Sequence, residues 1–288
     1  TLFSFDRDLE PVLTVKSGET VRIRTKDCFS NQLTGPQDTM DDLDWDAINP
    51  ATGPVFVEGA KAGGALKVRI DNIEFDEQTC SATGQDEGVC GNRFTEWATH
   101  YCKIQGNTLA WDERLNIPLR PMIGVIGVAP AGEGVLTVTP GAHGGNMDCR
   151  RIREGATIYF PVAAEGALLS MGDLHALMGD GEVFGYGLEV SGEVTVRVTA
   201  IKGMALEQPL LIEGGDAMTI ASGETMQEAT EKALESMYHL LRQCGQDEGE
   251  AGILMSMVCN IALCQMVNPL FTVRAEMPAH MLEKVIKG

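Results

Sequence analysis

The amino-acid sequence predicts an α+β fold that is mainly β, a layered β/α/β sandwich with a C-terminal helix pair. The chain has 33 glycines among its 288 residues, and many of its runs alternate apolar and polar residues, as strands joined by tight turns do. Helical periodicity is confined to the C-terminal part. No linker rich in proline, serine and glycine divides the sequence, so residues 1–288 are predicted to form a single domain.

The β-rich part is predicted to span residues 1–215. From Val12 to Arg24, and again from Pro54 to Ile73, two alternating runs flank a glycine-containing turn, which is typical of a β-hairpin. Further along, MIGVIGV at 122–128 and GVLTV at 134–138 are short apolar runs bounded by prolines. This pattern indicates buried strands.

A helical hairpin is predicted over about 224–266. From Glu224 to Gln243 apolar residues recur at helical spacing, and Gly245 follows as a C-terminal stop. A second helix is predicted from about Glu250 to Met266, and because it is apolar almost all round we expect it to be buried. A bilayer span takes about 20 apolar residues, which this run does not reach. The sequence PLFTVRAEMP then predicts a final strand over about 269–276.

Charge and composition exclude several classes of partner. The formal net charge of −19 repels nucleic-acid phosphates and anionic lipids, and the 22 lysines and arginines form no basic run. We therefore predict neither nucleic acid nor membrane among the partners. The eight cysteines show no zinc-finger spacing, and the first residues lack the basic and apolar regions of a secretory signal. A cytoplasmic location is expected.

Imidazole and carboxylate groups are concentrated among glycines between residues 140 and 186. His143 and Asp148 lie in PGAHGGNMD, and His175 lies in MGDLHALMGDGE with Asp173 and Glu182. If Asp173 and His175 share a strand, their side chains share one face, because side chains alternate with period two. Two imidazoles with carboxylates match a catalytic zinc site, where bound water becomes acidic. The same residues also suit ordinary turns and hydrogen bonds, and this alternative stays open.

Three further residues are weaker candidates for chemistry. Cys28 in RTKDCFSN could be a nucleophilic thiol if a histidine lies near it, and Cys149 is a second such thiol. Glu58 follows a predicted strand in VFVEGA, where a carboxylate is either catalytic or simply solvated.

Four segments together resemble a known family: NPATGPVFVEGAKAGGALKVRI, PMIGVIGVAP, PGAHGGNMDCR and GDLHALMGDGEVFGYGLE. In this order they are similar to the acetamidase/formamidase family, and the resemblance runs from about Leu9 to the C-terminal region. It implies hydrolysis of small aliphatic amides, such as formamide or acetamide, to ammonia and the carboxylate. It also implies a cytoplasmic homo-oligomer, a homodimer or higher, with a bound divalent metal, zinc being the leading choice and calcium the alternative.

From these patterns and the resemblance we assign three groups of site residues. They are metal ligands (His143, His175, Asp148 and Asp27), catalytic residues (Glu182, Glu58 and Asp173) and substrate-binding residues (Asn49, Gly145 and Asn146). The working hypothesis is that a metal-activated water attacks the amide carbon, with Glu182 or Glu58 acting as general base and then as general acid.

Two rival functions remain open from the sequence. One is a non-catalytic β scaffold that binds a metal or a small ligand, with the glycine loops purely structural. The other is a metal-independent amidohydrolase that uses Cys28 or Cys149 as nucleophile. Ammonia release with and without a chelator separates the first from a metal enzyme, and sensitivity to thiol alkylation would identify the second.

Overall fold

The computed structural model describes residues 1–287 and consists mostly of β-strands. The strands, numbered in chain order, are β1 Ser4–Phe5, β2 Leu13–Lys16, β3 Thr20–Thr25, β4 Ala51–Glu58, β5 Ala65–Thr83, β6 Ala98–Gln105, β7 Thr108–Ala110, β8 Asn116–Pro118, β9 Met122–Gly127, β10 Val135–Leu136, β11 Gly144–Asn146, β12 Thr157–Pro161, β13 Leu169–Leu177, β14 Leu188–Ile201, β15 Leu210–Glu213, β16 Asp216–Gly223, β17 Asn260–Gln265 and β18 Phe271–Pro278. The α-helices are α1 Met226–Gln243, α2 Glu248–Val258 and α3 Glu283–Lys287.

One large sheet organises the molecule. Within residues 1–287 it contains sixteen strands, in the order β11-β9-β13-β14-β5-β12-β15-β16-β18-β17, with β2, β3, β4 and the β6–β8 arm attached to this path. The long strands β5 and β14 form its spine and pair antiparallel from Glu189–Cys80 to Ile201–Ala65. The predicted α+β, mainly β fold class is thus confirmed, and strands extend past the expected limit of 215 to Gly223.

Two apolar cores hold the layers together. The larger lies among the strands and includes Ile123, Leu174 and Val196, none of which is exposed. The smaller lies under α1, where the buried side chains of Met237 and Leu241 face the sheet. Burying each such side chain contributes about 1.5–3 kcal/mol. The helical stripe predicted from Glu224 to Gln243 is therefore confirmed.

The second helix is shorter than predicted and is not buried. Helix α2 ends at Val258, and the part expected to continue it to Met266 forms the edge strand β17, which pairs with β18. A short apolar run fits a helix or a strand equally well, and here the partner strand decides. On α2, Ile253 and Met257 are 60% and 66% exposed, contrary to the expected burial. The predicted final strand is confirmed as β18.

The two predicted hairpins have the right strands but the wrong pairing. Strands β2 and β3 do not pair with each other, since β2 runs parallel to β4 and β3 runs antiparallel to β14. Strands β4 and β5 likewise separate, because β4 pairs with β13 whereas β5 pairs with β12 and β14. Strand pairing depends on the packing of side chains against neighbouring strands, and here the partners of these strands lie far away in the sequence.

Strand β13 carries the centre of the candidate site. Every residue of it except Leu177 is buried, and it lies between β9 and β14 with β4 along part of its length. Polar side chains on such a strand have no access to bulk water and must be satisfied inside the protein. No helix in residues 1–287 is both long enough and apolar enough to cross a lipid bilayer.

Candidate active site

A cavity of about 140 Å³ opens where β13 and β14 meet several loops. The loops follow β3, β5, β10, β11, β13 and β17, and they bring side chains that are far apart in the sequence to one point. Its polar lining comprises Asn49, Asn146, Asp148, Asp173, His175, Glu182, Glu189 and Asn268, together with Glu87 near the outside. The wall also contains the apolar side chains of Phe29, Ile48 and Val138.

His175 occupies the middle of a carboxylate cluster. Its Nε2 lies 3.3 Å from Asp173 Oδ1 and 3.3 Å from Glu189 Oε1. The same nitrogen lies 3.9 Å from Glu182 Oε1 and 4.0 Å from Asp148 Oδ1. All five residues are buried, with Glu182 the most exposed at 8%. One imidazole nitrogen therefore faces four carboxylates inside the protein.

Four residues of the lining adopt a left-handed backbone conformation. The φ angles are +52° at Asn49, +41° at Asp148, +54° at Asp173 and +47° at Glu182. Residues other than glycine rarely adopt this region, and such strain persists at functional sites because the surrounding fold holds it. The left-handed turns direct these side chains inward from strands and loops whose regular geometry would point them elsewhere.

Two glycines leave the space that the polar groups occupy. A Cβ atom at Gly124 would clash with Asp148 Oδ1 and would lie 2.7 Å from Asp173 Oδ2. A Cβ atom at Gly187 would lie 2.7 Å from His175 Nδ1. Both distances are below van der Waals contact, so the cluster requires glycine at these positions.

A network of asparagines holds the carboxylates in place. With its amide assigned in the orientation that satisfies both of its ends, Asn146 donates from its nitrogen to Asp148 Oδ2 at 2.9 Å and to Asp173 Oδ2 at 3.1 Å, while its oxygen accepts from Asn49 Nδ2 at 2.9 Å. Asn268 Nδ2 donates to Asp148 Oδ2 at 2.6 Å and to the Asn146 carbonyl at 3.0 Å. Asp148 Oδ2 is thereby satisfied, and its other oxygen faces the cavity.

Several buried polar atoms of the cluster have no partner. They are Asp148 Oδ1, Glu189 Oε2, Asn49 Oδ1 and His175 Nδ1. None of the described residues that line the cavity is a lysine or an arginine, so no basic side chain other than His175 balances the carboxylates. Buried charge without a counter-charge is strongly unfavourable. The unused oxygens are therefore suited to a cation.

Burial also changes the acidity of the cluster. It raises the pKa of Asp148 to about 6, with a further contribution from Asp173, and it raises the pKa of Glu189 to about 7. The pKa of Glu182 is raised well above its ordinary value by burial and by Asp148. For His175, burial lowers the pKa, but Glu189 and Asp173 more than offset this and raise it well above the usual range. Without a cation, these groups share protons.

Asp148, His175 and Glu182 form a group able to hold a metal ion. Each offers one ligand atom, and the three atoms lie within 4.8 Å of one another. Imidazole nitrogen and carboxylate oxygen are both zinc ligands, and a catalytic zinc site with three protein ligands keeps a fourth position open for water. The buried carboxylate oxygens without a hydrogen-bond partner and this set of ligand atoms together fit a divalent cation.

Six of the predicted site residues come together in this cavity, namely Asn49, Asn146, Asp148, Asp173, His175 and Glu182. Four do not. Glu58 is exposed at the end of β4 and does not line the cavity, so its role as a catalytic base stays a prediction that its position does not support. Gly145, predicted to bind substrate, does not line the cavity and instead shapes the turn before Asn146, with φ +81°.

His143, predicted as a metal ligand, lies apart from the cavity that contains His175. It does not line the cavity with His175; its ring packs edge-on against Phe5 at 5.1 Å. Burial lowers the pKa of His143 to about 4, so the ring is neutral. The left-handed turn at Gly144 and Gly145 sends Asn146 toward the cavity and leaves His143 on the other side.

Asp27 lies beside the cavity without lining it. Its Oδ1 accepts a hydrogen bond from the backbone nitrogen of Asn31 at 2.7 Å, so the carboxylate stabilises the turn in which Asp27 lies. Burial raises the pKa of Asp27 to about 6, and Asp173 adds to this. Asp27 belongs to neither group of residues able to hold a metal in the described part of the chain.

Sequence reasoning missed Glu189 and Asn268 and gave Cys28 only a minor place. Glu189 lies between Leu188 and Val190 in an apolar strand. A carboxylate flanked by apolar residues is the sequence feature that could have identified it as a buried site residue. Asn268 lies in a loop and carries no such signal. Cys28 lines the cavity, whereas Cys149 is fully buried outside it, in the main apolar core.

Comparisons with known proteins agree with this arrangement. The family model described as "Acetamidase/Formamidase family" matches residues 4–133 and 130–283. The structure of a predicted acetamidase/formamidase from Thermoanaerobacter tengcongensis is 44% identical, with a TM-score of 0.96 over 99% of this chain and 95% of that chain. An acetamidase structure from Bacillus halodurans is 40% identical, with a TM-score of 0.95 over 99% and 97%.

A curated relative gives the same assignment at lower identity. The formamidase of Methylophilus methylotrophus is 27% identical, with 68% of this chain and 62% of that protein covered. The chain thus spans less than two thirds of the length of this relative. Because the family model matches nearly all of the sequence, the resemblance found in its motifs is confirmed. The chain belongs to the acetamidase/formamidase family.

Proposed function

We propose that the protein hydrolyses small aliphatic amides to ammonia and a carboxylate. Family membership supports this, since the relatives bear the names formamidase and acetamidase. The observation that carries the proposal in this chain is His175 Nε2, which faces four buried carboxylates in a cavity without lysine or arginine. Such a cluster suits the activation of water.

The residues that would hold a divalent cation are Asp148, His175 and Glu182. When bound, the ion would act as a Lewis acid on the amide carbonyl and would lower the pKa of a bound water. Zinc fits this set better than calcium, because calcium takes oxygen ligands whereas an imidazole nitrogen is a common zinc ligand. Asn268 and Asn146 hold Asp148 in position through their hydrogen bonds.

The remaining polar side chains have distinct roles in the proposal. Glu189, whose pKa is raised by burial to about 7, takes the proton of the attacking water and passes it to the departing nitrogen. A pKa near the working pH is the best compromise for a group that both accepts and donates a proton. Asp173 supports this transfer beside His175, and the free Asn49 Oδ1 accepts an N–H of the substrate amide.

The size of the cavity sets the substrate class. A cavity of about 150 Å³ inside a protein accommodates benzene, and the cavity here is about 140 Å³. Formamide, acetamide and propionamide therefore fit, whereas benzamide, a benzene ring plus an amide group, does not. Phe29, Ile48 and Val138 provide apolar wall for a short acyl chain.

The decisive comparison uses the two histidines that were both predicted as ligands. We expect His175→Ala to lose bound metal and ammonia release from acetamide, while His143→Ala keeps both, provided that it folds. Metal content is measured by elemental analysis of the purified proteins. Unchanged metal content and turnover in His175→Ala would remove the proposal. Ammonia release from none of formamide, acetamide and propionamide would favour the non-catalytic scaffold instead.

A cysteine mechanism is the second candidate, because Cys28 lines the same cavity. Burial, Glu189 and Asp173 raise the pKa of Cys28 well above its ordinary value, which disfavours the reactive thiolate. Inactivation by thiol alkylation together with full activity in chelator would favour this candidate. A cytoplasmic location, a homo-oligomeric state and the absence of nucleic-acid and membrane partners also remain part of the proposal, and size-exclusion chromatography tests the oligomer.

A further inference from the structure

A second group of ligand atoms adjoins the first inside the cavity. Cys28 Sγ and one carboxylate oxygen each from Asp173 and Glu189 lie within 4.8 Å of one another. None of these residues belongs to the group formed by Asp148, His175 and Glu182. The two groups touch at His175 Nε2, which is 3.3 Å from Asp173 Oδ1 and 3.3 Å from Glu189 Oε1.

The fold holds this second group in place. The carbonyl oxygen of Cys28 accepts from the backbone nitrogen of Asn49 at 2.5 Å, which fixes the loop after β3. Asp173 and Glu189 lie on the adjacent strands β13 and β14, whose register pairs His175 with Glu189. The three residues are 7%, 3% and 2% exposed, so their positions are set by packing.

One atom of the group lacks a partner. Glu189 Oε2 is buried and makes no hydrogen bond, although it borders the cavity. The Cys28 thiol is a hydrogen-bond partner of Glu189, but a thiol is a weak donor with a single proton, and Glu189 Oε2 still has no partner. A cation bound between the sulfur and the carboxylates would satisfy it.

We propose that Cys28, Asp173 and Glu189 form a second cation site, selective for thiophilic ions such as Zn²⁺ and Cd²⁺, whose occupation inhibits hydrolysis. Thiolate ligands select such ions, whereas Mg²⁺ and Ca²⁺ bind oxygen. In tetrahedral geometry, zinc bonds to sulfur and oxygen of about 2.3 and 2.1 Å place these atoms about 3.6 Å apart, so ligand atoms that lie within 4.8 Å of one another must approach by at most about 1.2 Å. Binding converts the Cys28 thiol to a thiolate and releases its proton to solvent.

Inhibition follows from which carboxylates the ion takes, and this part rests on the proposed function. Glu189 is the proton carrier of the proposed mechanism and Asp173 supports it. A carboxylate bound to a second cation no longer accepts the proton of the attacking water. Activity should therefore rise as the first site fills with zinc and fall again as the second site fills.

The binding test uses Cd²⁺ alone on metal-free protein. We expect the wild type to bind two ions per chain and to show the ultraviolet charge-transfer absorption of a cadmium–thiolate bond. In Cys28→Ser we expect this absorption to disappear and one bound ion to remain. The affinity of the second site should fall at least roughly tenfold, because changes to residues that only hold a metal ligand in place already have effects of this size. Cys244→Ser, which changes a buried thiol in the second apolar core, should leave both readouts unchanged. One ion in the wild type, or thiolate absorption that survives in Cys28→Ser, overturns the site.

The activity test separates the two proposals. Excess zinc should inhibit the wild type, but not Cys28→Ser relative to its own maximum, and excess Mg²⁺ should inhibit neither. Two cadmium ions with Cys28-dependent absorption but no amide hydrolysis would sustain the site and reject the proposed function. Amide hydrolysis by a protein that binds a single ion and shows no thiolate absorption would sustain the proposed function and reject the second site. If Cys28→Ser does not fold, the ion count and absorption of the wild type decide.

Discussion

Replacing Asp148 with asparagine should make the metal-free protein more stable, although it removes a proposed ligand. Asparagine tolerates the left-handed backbone that Asp148 adopts, at φ +41°. Its amide oxygen can take the place of Oδ2 and accept from Asn268 and Asn146, while its nitrogen occupies the position of Oδ1, which has no partner. The substitution therefore removes one buried charge and keeps the hydrogen bonds.

The magnitude follows from the pKa of Asp148. Burial raises it from 3.8 to about 6, so the folded protein holds this proton more tightly than the unfolded chain does. At a pH below 3.8 the carboxyl is neutral in both states and has no effect. As the pH rises from 3.8 to about 6, the unfolded chain ionises while the folded state keeps the proton, so the folded state loses up to about 3 kcal/mol relative to the unfolded chain, at ~1.4 kcal/mol per pH unit, and the loss is complete above about 6.

Thermal unfolding in chelator measures this difference. We expect Asp148→Asn to match the wild type near about pH 4, where the proton stays bound, and to be more stable near about pH 8 by up to ~3 kcal/mol. At roughly 2–4 °C per kcal/mol for a large domain, a gain of ~3 kcal/mol raises the melting temperature by about 6–12 °C. Asp8→Asn, at an exposed position, is the control for the same change of side chain outside the cavity.

Added zinc should make the wild type more stable than Asp148→Asn. The ion stabilises only a protein that binds it, so the wild type should gain melting temperature and Asp148→Asn should gain little. If Asp148→Asn is less stable than the wild type at the higher pH in chelator, the reasoning about uncompensated buried charge is refuted.

The remaining predictions concern the boundaries of the site. Glu58→Gln should leave ammonia release within about twofold of the wild type, since surface changes have small effects; a larger loss would restore this residue to the site. Gly124→Ala should lose bound zinc on elemental analysis, because its Cβ would displace Asp148 Oδ1; unchanged zinc would contradict the packing. Asn268→Ala should weaken zinc binding by about 10–100-fold through the lost hydrogen bond to Asp148, measured by competition with a chelator. Turnover should fall as the pH drops through about 7, where Glu189 takes up a proton, and zinc binding should fall through about 6, where Asp148 does; a pH-independent turnover would count against Glu189 and a pH-independent affinity against Asp148.

Local patterns predicted the elements and the centre of the site. Asp173 and His175 lie on one strand as their spacing required, and the helical stripe of α1 packs as expected. Glu182 follows on the same chain segment, so proximity in sequence was enough to find it.

What the sequence could not show is long-range pairing. Glu189 reaches His175 only through the register of β13 with β14, and Asn268 reaches Asp148 from a loop 120 residues away. The two predicted hairpins failed for the same reason, because each strand found a distant partner. His143 lies apart from the cavity because two left-handed glycines turn the chain between it and Asn146, a choice that the residue types alone do not reveal.

Ammonia release from acetamide by metal-free protein, followed as zinc is added back, tests the central claim most directly. That claim is that the carboxylates around His175 hold a cation that activates water. We predict no turnover in protein shown by elemental analysis to lack metal, and recovery as the first zinc ion binds. Full turnover in the metal-free protein would contradict the claim.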